Sequence, residues 1–226
     1  MTYPDQIAFV VNGDSRIRSA LRELLSAHGI QAITFESAAD YLAYPKASAP
    51  ACLLLDVELP DCSGLDLQLE LAGDCLPVVF VTRQADVAFS VRAIKEGAVD
   101  FLTIPFKPEQ LLVAVRAAIT RDSSTRAERS RISELRRRLA RLTARERQVM
   151  ALVVSGMLNK QVASDLGISE ITVQVHRRRV MQKMEAASFA ELVRDAETLR
   201  IPRNPERPIG RSRYFGAALG TPRMAV

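Results

Sequence analysis

Hydrogen-bonding side chains recur at helical spacing along residues 169–184 of the sequence. At about 100° per residue, one side of such a helix is apolar and carries Val173, Val180 and Met184. The other side has several donors, one valine and no carboxylate, and comprises Gln174, Val175, Arg178, Arg179 and Gln182. This pattern favours a helix that packs on a core and enters a DNA major groove, where Gln pairs with adenine, Arg with guanine and Val with a thymine methyl. An amphipathic helix with a basic solvent face is the alternative.

Charge is divided unevenly along the 226 residues. Residues 1–120 contain 9 basic and 15 acidic side chains, whereas residues 121–226 contain 22 basic and 11 acidic ones. The strongly basic second half indicates a polyanionic partner, and nucleic acid is the first candidate.

Four helical patterns position these side chains, at residues 144–155, 160–166, 170–184 and 189–199. Thr143 and Glu146 have the spacing of a capping box before the first helix. Asn159 can cap the second helix and Ser169 the third, and Gly167 separates these two. Two helices joined by the sequence Leu-Gly-Ile-Ser predict a helix-turn-helix in an all-α domain.

The first half alternates apolar runs with helical patterns. Strand-like runs lie at residues 7–11, 32–35, 52–55, 78–81 and 99–103, and helical patterns lie near 17–25, 38–44, 64–72, 86–96 and 108–120. Five strands alternating with five helices predict a parallel sheet covered on both faces. Functional groups of such sheets gather at the carboxyl ends of the strands. The residues at those ends are Asn12, Gly13, Asp14, Asp56, Thr82 and Ile104.

The second half resembles the LuxR-type DNA-binding domain. The resemblance is carried by L-T-A-R-E-R-Q-V-M, G-M-L-N-K-Q-V-A and L-G-I-S-E-I-T-V-Q-V-H-R-R-R-V-M-Q-K-M. It implies base contacts at Gln174, Val175 and Arg178, and a last helix that pairs two such domains into a homodimer on a two-fold site. Candidate contacts to the DNA backbone are Lys160, Thr172, His176, Arg177 and Lys183.

The first half resembles the receiver domain of bacterial two-component response regulators, which has a flavodoxin/CheY-like α/β fold. The motifs are L-L-L-D-V-E-L-P-D-C-S-G, V-F-V-T and A-V-D-F-L-T-I-P-F. In that family the residue at Asp56 accepts a phosphoryl group from a histidine kinase, and the residues at Thr82 and Phe101 change position to report it. With both halves considered, the chain is similar to the NarL/FixJ group of response regulators.

Three positions depart from the receiver pattern. The family carries two acidic residues after its first strand to hold Mg²⁺, where this chain has Asn12 and Gly13, and a lysine where this chain has Ile104. Phosphoryl transfer depends on electrostatic stabilisation, worth about 3 kcal/mol for one well-placed donor, so three losses should slow phosphorylation by orders of magnitude. We therefore expect weak or absent Mg²⁺ binding, no other metal or cofactor, and a weak or vestigial phosphoacceptor at Asp56.

Other interpretations of these positions stay open. Asp14 can turn in as a metal ligand, and Lys107 can replace the missing lysine, although Lys107 follows the Pro105 that ends the strand. Asp56 can also be a polar turn residue without further function.

The sequence predicts four segments: a receiver at residues 5–120, a helical linker at 121–141, the helix-turn-helix domain at 142–200 and a basic flexible tail at 201–226. In the linker, an apolar spacing typical of a short two-stranded coiled coil is formed by Ile132, Leu135, Leu139 and Leu142. A helix packed on its own domain explains the same spacing.

Composition and motifs argue against several other classes of protein. The longest apolar runs are strand-sized, so neither a membrane span nor a signal segment is expected. The three cysteines, Cys52, Cys62 and Cys75, suit a reducing compartment and predict a cytoplasmic protein. An enzyme is not expected either, because the sequence shows no nucleophile–base pair and no glycine-rich phosphate loop.

The leading hypothesis is a dimeric, sequence-specific transcription regulator that binds promoter DNA and whose receiver works without phosphorylation. The first alternative is a conventional regulator switched by phosphorylation of Asp56. In the second alternative the receiver binds a ligand or a partner, and DNA binding is secondary. A histidine kinase, a small ligand and a regulatory protein stay open as partners.

Overall fold

A computed structural model describes residues 6–45, 49–71, 76–83 and 86–202 of the chain. Cys75 and the tail beyond Pro202 lie outside the described residues, so what the sequence predicts for them stays a prediction. The chain divides into two compact units, Met1–Ser130 and Arg131–Val226.

Strands and helices alternate in the first unit, and helices alone make up the second. The elements are β1 (Ile7–Val11), α1 (Ser15–Ala27), β2 (Gln31–Phe35), α2 (Ala38–Leu42), β3 (Ala51–Leu55), α3 (Gly64–Glu70), β4 (Val78–Thr82), α4 (Val87–Lys95), β5 (Asp100–Thr103), α5 (Pro108–Ala140), α6 (Ala144–Val154), α7 (Asn159–Leu166), α8 (Glu170–Met184) and α9 (Phe189–Thr198).

The five strands form one parallel sheet in the order β2-β1-β3-β4-β5. Val11, at the end of β1, pairs with Phe35 of β2 on one side and with Leu55 of β3 on the other. The strand order reverses at this point, and doubly wound sheets bind their ligands outside the carboxyl ends of such strands. The predicted flavodoxin-like fold with five parallel strands is confirmed.

Side chains of the central strands alternate between two apolar layers, one on each face of the sheet. In β3, Leu54 packs with Val10 in one layer, whereas Leu53 and Leu55 pack with Phe80 in the other. All five residues of β3 are buried. Because both faces are covered, polar chemistry is confined to the loops that follow the strands.

Helix α5 combines the last helix predicted for the receiver and the predicted helical linker into one continuous helix. The segment predicted to be a separate linker from residue 121 contains neither glycine nor proline, and the helix runs through it to Ala140. Asp122, at the start of that segment, is 5% exposed, and its Oδ2 accepts hydrogen bonds from Ala51 N at 2.8 Å and Arg126 Nε at 2.6 Å. The receiver helix therefore extends past the boundary predicted at residue 120.

The second unit packs α6, α7, α8 and α9 around one core that includes Val149, Met150, Val173, Val180 and Leu192. The predicted all-α helix-turn-helix domain is confirmed. Gly167 ends α7 in the left-handed conformation, with φ of 64°, and Ser169 Oγ starts α8 by accepting a hydrogen bond from Thr172 N at 3.1 Å. These two residues set the sharp turn between the helices.

A capping box starts α6, as the sequence predicted. Glu146 Oε2 accepts a hydrogen bond from Thr143 N at 2.8 Å, and Thr143 Oγ1 accepts one from Glu146 N at 3.2 Å. The predicted cap of the next helix is wrong, because α7 begins at Asn159 and its N-cap residue is Leu158. The Asn159 side chain instead accepts a hydrogen bond from Arg177 Nη1 at 3.0 Å.

The apolar residues with coiled-coil spacing are largely used inside the second unit. Leu135 and Leu142 are only 4% and 3% exposed, and Leu139 packs against the core to which Leu142 belongs. A helix packed on its own domain therefore accounts for this spacing better than a coiled-coil seam does.

Candidate phosphorylation site and DNA interface

Asp56 follows β3 at the carboxyl edge of the sheet and is half-buried. Its Oδ2 accepts a hydrogen bond from Asn12 Nδ2 at 2.7 Å, and its Oδ1 accepts one from Val57 N at 2.8 Å. The Thr82 hydroxyl also hydrogen-bonds this carboxylate. Burial raises the pKa of Asp56, and the hydrogen bonds from Thr82 and from the backbone only partly offset that rise. The donors around this carboxylate are therefore neutral groups.

Asn12 is fixed at the end of β1 and is 1% exposed. Its Oδ1 accepts a hydrogen bond from Asp14 N at 2.8 Å, and its backbone carbonyl accepts one from Arg18 Nη1 at 2.6 Å. These contacts turn the amide nitrogen toward Asp56 and the amide oxygen away from it. Asn12 thus offers Asp56 a donor and no negative charge.

Asp14 is committed to other partners. It caps α1, where its Oδ1 accepts a hydrogen bond from Arg16 N at 2.8 Å, and its Oδ2 forms an ion pair with Arg83. Neighbouring Gly13 lies close to Pro60, since a Cβ at position 13 would be 3.3 Å from Pro60 Cγ. The arrangement gives no support to the alternative in which Asp14 turns in as a metal ligand.

Ile104 packs against the apolar layer that contains Val10 and Leu54. Lys107, the alternative to the missing lysine, is exposed, and its backbone N donates to Gln110 Oε1 at 2.8 Å. Among the hydrogen bonds and ion pairs of the described residues, none joins Lys107 to Asp56. The position that carries the family's lysine is therefore apolar, and Lys107 does not compensate for it here.

The residues around Asp56 do not fit Mg²⁺. This ion takes oxygen ligands in near-octahedral geometry, commonly including one or two carboxylates. Beside Asp56, Asn12 presents a nitrogen and Asp14 is paired with Arg83, while the nearby Glu58 is exposed. Over the described ranges, no group of three His, Cys, Asp or Glu side chains could hold a metal ion.

The two receiver switch positions lie on adjacent strands. Thr82, at the end of β4, is 3% exposed and bonds Asp56. Phe101, in β5, packs against Phe80 and Phe89, and its ring centroid is 6.0 Å from each of theirs. The fold thus places a threonine beside the carboxylate and an aromatic ring in the apolar layer of the neighbouring strand.

The second candidate site is the outer face of α8. Gln174, Val175 and Arg178, the predicted base-contacting residues, are all exposed on this face, whereas Val173 and Val180 are fully buried. Residues 167–169 form the turn before α8, so these side chains follow the second helix of a helix-turn-helix. The arrangement leaves one donor-rich helix face open to DNA.

Two of the five predicted backbone contacts are cations that bond residues of other helices in the second unit. Lys183 Nζ lies 2.7 Å from Glu146 Oε2. The Arg177 guanidinium bonds Asn159 and lies 4.7 Å above the centre of the Phe189 ring, a cation–π arrangement. Both cations therefore fasten α8 to its neighbouring helices.

The other three predicted backbone contacts are placed differently. Lys160 is exposed in the first turn of α7. The Thr172 hydroxyl shares a hydrogen bond with Ser169 Oγ at 2.8 Å. His176 is half-buried, and its Nδ1 has no hydrogen-bond partner among the described residues. Lys160 is thus the cation of the predicted set that is most available to a phosphate.

Ile171 was not singled out by the sequence analysis. It lies in the first turn of α8, is 73% exposed, and precedes Val175, which is 44% exposed, by four residues. Residues four apart are neighbours on a helix surface, so the two side chains form one apolar strip on the donor-rich face. The sequence feature that could have identified Ile171 is its position between Glu170 and Thr172, in a first helical turn that is otherwise polar.

Comparison with known proteins covers both units. Residues 8–116 match the family model of the response regulator receiver domain, and residues 140–196 match that of bacterial regulatory proteins of the luxR family. Nodulation protein W of Bradyrhizobium diazoefficiens is 44% identical over 200 residues, which cover 88% of this chain and 88% of that protein. Transcriptional regulatory protein FixJ of Azorhizobium caulinodans is 41% identical over 189 residues, which cover 83% of this chain and 90% of that protein.

The chain belongs to the FixJ-type response regulators. A solved structure, that of response regulator StyR, has a TM-score of 0.77 and 38% identity to this chain, and the match covers 85% of this chain and 98% of that one. FixJ-type response regulators are transcription regulators that bind DNA, and not enzymes. Among the described helices, none combines the length and apolar character that a membrane span requires.

In this FixJ-type response regulator, the three residues that differ from the receiver pattern each make identifiable contacts. Asn12 bonds the carboxylate that the family phosphorylates. Gly13 accommodates Pro60, and Ile104 joins an apolar layer. Asn12 thus takes part in neutral hydrogen bonding, and Gly13 and Ile104 take part in packing.

Proposed function

We propose that this response regulator is a dimeric, sequence-specific transcription factor whose receiver controls it without phosphorylation of Asp56. The hydrogen bond from Asn12 Nδ2 to Asp56 Oδ2, at 2.7 Å, carries the proposal. Phosphoryl transfer needs positive charge around the transferring oxygens. Here a neutral amide occupies the place of a metal-binding carboxylate, and Ile104 occupies that of the lysine.

The surroundings of Asp56 agree with the proposal. Burial raises the pKa of this carboxyl, and the groups that hydrogen-bond it are the neutral donors of Asn12, Thr82 and the backbone. Weak or absent Mg²⁺ binding is part of the proposal, because Asn12 and Gly13 supply no carboxylate where the family has its two metal-binding ones.

Acetyl phosphate tests this function. The full-length protein is incubated with acetyl phosphate and Mg²⁺, and intact mass and promoter affinity are measured for wild type and for Asp56→Ala. We expect no phosphoryl adduct, and promoter affinities that agree within about twofold, which is under 0.5 kcal/mol.

The matched control restores the family's groups. The triple variant Asn12→Asp, Gly13→Asp, Ile104→Lys should gain the adduct that the wild type lacks. An adduct on the wild type that tightens promoter binding would instead establish the conventional regulator switched at Asp56.

The exposed face of α8 supports sequence-specific binding to promoter DNA. Arg178 and Gln174 can make bidentate hydrogen bonds to guanine and adenine, and Val175 can contact a thymine methyl. Such a protein works where the chromosome is, so a cytoplasmic location follows from the proposed DNA partner.

An apolar strip on α4 supports the dimer. Val87, Val91 and Ile94 are spaced four and three residues apart, which places them on one helix face, and they are 77%, 48% and 47% exposed. Apolar strips of this kind mark protein interfaces more often than lone exposed residues do. A dimer of receivers would present two DNA-binding domains to a two-fold operator.

A further inference from the structure

A cavity of about 430 Å³ opens between α1 and the turn that links β5 to α5. It lies at the carboxyl edge of the sheet, where doubly wound folds bind ligands. Its volume falls within the range of about 300–1,000 Å³ that is typical of small-molecule sites. The lining consists of Asp14, Arg16, Ile17, Ala20, Leu21, Leu24, Arg83, Ile104, Pro105 and Phe106.

Most of the cavity wall is apolar. Ile17 and Leu24 of α1 face it together with Ile104 and Phe106 from the opposite side. The three departures from the receiver pattern include Ile104, so the same substitution that removes the family's ammonium group makes this wall apolar. A hydrocarbon group is therefore the chemistry that the wall accepts.

The charged side chains that line the cavity carry a net positive charge. Of its three charged side chains, Asp14 and Arg83 pair with each other. Arg16 is exposed, and among the described residues its guanidinium has no carboxylate partner. An arginine fork is suited to bind a carboxylate through two parallel hydrogen bonds.

We propose that this cavity binds a small organic carboxylate, with its hydrocarbon body against Ile104, Ile17 and Leu24 and its carboxylate on Arg16. The ligand is a chain or ring of about six to ten carbons, given the cavity volume and the few polar groups that line it. The proposal stands independently of whether the protein binds promoter DNA, and it gives the receiver an input other than phosphorylation.

Calorimetric titration of the full-length protein with octanoate tests the proposal. Octanol carries the same hydrocarbon chain without the charge, and inorganic phosphate carries charge without the chain. We expect saturable binding of octanoate, binding of octanol that is about tenfold weaker or more, and no measurable binding of phosphate. Equal affinities for octanoate and octanol, or an absence of octanoate binding, would overturn the proposal.

Substitutions on α1 locate the site. Arg16→Gln should weaken octanoate binding about tenfold and leave octanol binding unchanged, while Ala20→Phe should abolish both because a ring fills the cavity. Arg22→Gln is the matched control, since Arg22 lies on the same helix outside the cavity lining and donates to the Thr34 hydroxyl. Melting curves confirm that each variant is folded. Octanoate binding that survives both Arg16→Gln and Ala20→Phe would place the ligand elsewhere and refute this assignment.

Discussion

Arg178 and Lys160 illustrate two different tasks of a basic residue beside DNA. Arg178 lies on the exposed face of α8 for which we propose base contacts, whereas Lys160 is exposed in the first turn of α7. Base contacts determine sequence preference, and phosphate contacts set affinity and register. Substitution of each residue should therefore change a different property of binding.

Arg178→Ala should weaken binding to the cognate promoter by about 1–3 kcal/mol and relax preference at one base pair. Lys160→Ala should weaken binding to all sequences alike and reduce the slope of log affinity against log salt by about one. Fluorescence anisotropy measures both effects, as affinities for cognate and scrambled duplexes over a range of salt concentrations. If Arg178→Ala lowered affinity for both duplexes equally, the assignment of Arg178 to base recognition would be wrong.

At the residue level, the sequence showed which face of α8 is open and where Asp56 lies, because both follow from local periodicity. It could not show that Arg177 stacks on Phe189, or that Lys183 pairs with Glu146 37 residues away. Those partners come from other helices, and helix-to-helix placement depends on packing rather than on local spacing.

Glu146 joins two helices of the second unit. It starts α6 through the capping box with Thr143, is 2% exposed, and binds Lys183 of α8. Burial on its own raises the pKa of this carboxyl, but the hydrogen bonds from Lys183 and Thr143 outweigh burial and hold it below its usual value of 4.5. The charged form is thus favoured in the folded protein.

Glu146→Gln should lower the free energy of unfolding by about 1–3 kcal/mol at pH 7. A carboxyl whose pKa is lowered by folding contributes stability above its unfolded pKa, and that contribution is lost as the pH falls through the folded value. The difference in free energy of unfolding between wild type and variant should therefore be largest near neutral pH and shrink below about pH 4.5. Urea denaturation at pH 7 and at acidic pH measures this difference.

Glu170→Gln provides the matched control, because Glu170 is an exposed first-turn glutamate of α8. Its substitution should cost no more than about 1 kcal/mol, the usual limit for a charge at an exposed helix start. A Glu146→Gln protein as stable as the control at pH 7 would show that the buried ion pair adds nothing to the fold.

At the level of elements, the order and type of strands and helices could be predicted, since continuous apolar runs and amphipathic periods are local signals. The division of α5 between the two units could not. Nothing in the sequence after residue 120 breaks a helix, and Asp122 is tied to Ala51 in a way that depends on the folded sheet. A polar, arginine-rich stretch therefore looked like a linker although part of it belongs to the first unit.

For the whole molecule, the central question is how the receiver influences a DNA-binding domain with which it shares one chain. The described structure shows a receiver in which Asp56 is hydrogen-bonded by neutral groups and α4 carries an exposed apolar strip. If dimerisation is the link, operator binding should depend on that strip rather than on Asp56.

Val91→Asp should convert the protein to a monomer, because two buried carboxylates at a two-fold interface are strongly unfavourable. Binding to a two-half-site operator should fall at least about tenfold, and binding to a single half-site should hardly change. Leu69→Asp is the control, since Leu69 is an exposed apolar residue, 42% accessible, on a different helix. Light scattering gives the oligomeric state, and a Val91→Asp dimer with normal operator affinity would exclude α4 as the interface.

The contact between Gly13 and Pro60 bears on how this receiver can change over evolutionary time. Restoring a carboxylate at position 13 alone crowds the proline ring. Restoring one at position 12 alone sets a second negative charge against Asp56 with no cation between them. A single substitution at position 12 or 13 is therefore unfavourable by itself. If the receiver works without Mg²⁺, as we propose, regaining the metal-binding form takes several coordinated substitutions rather than one.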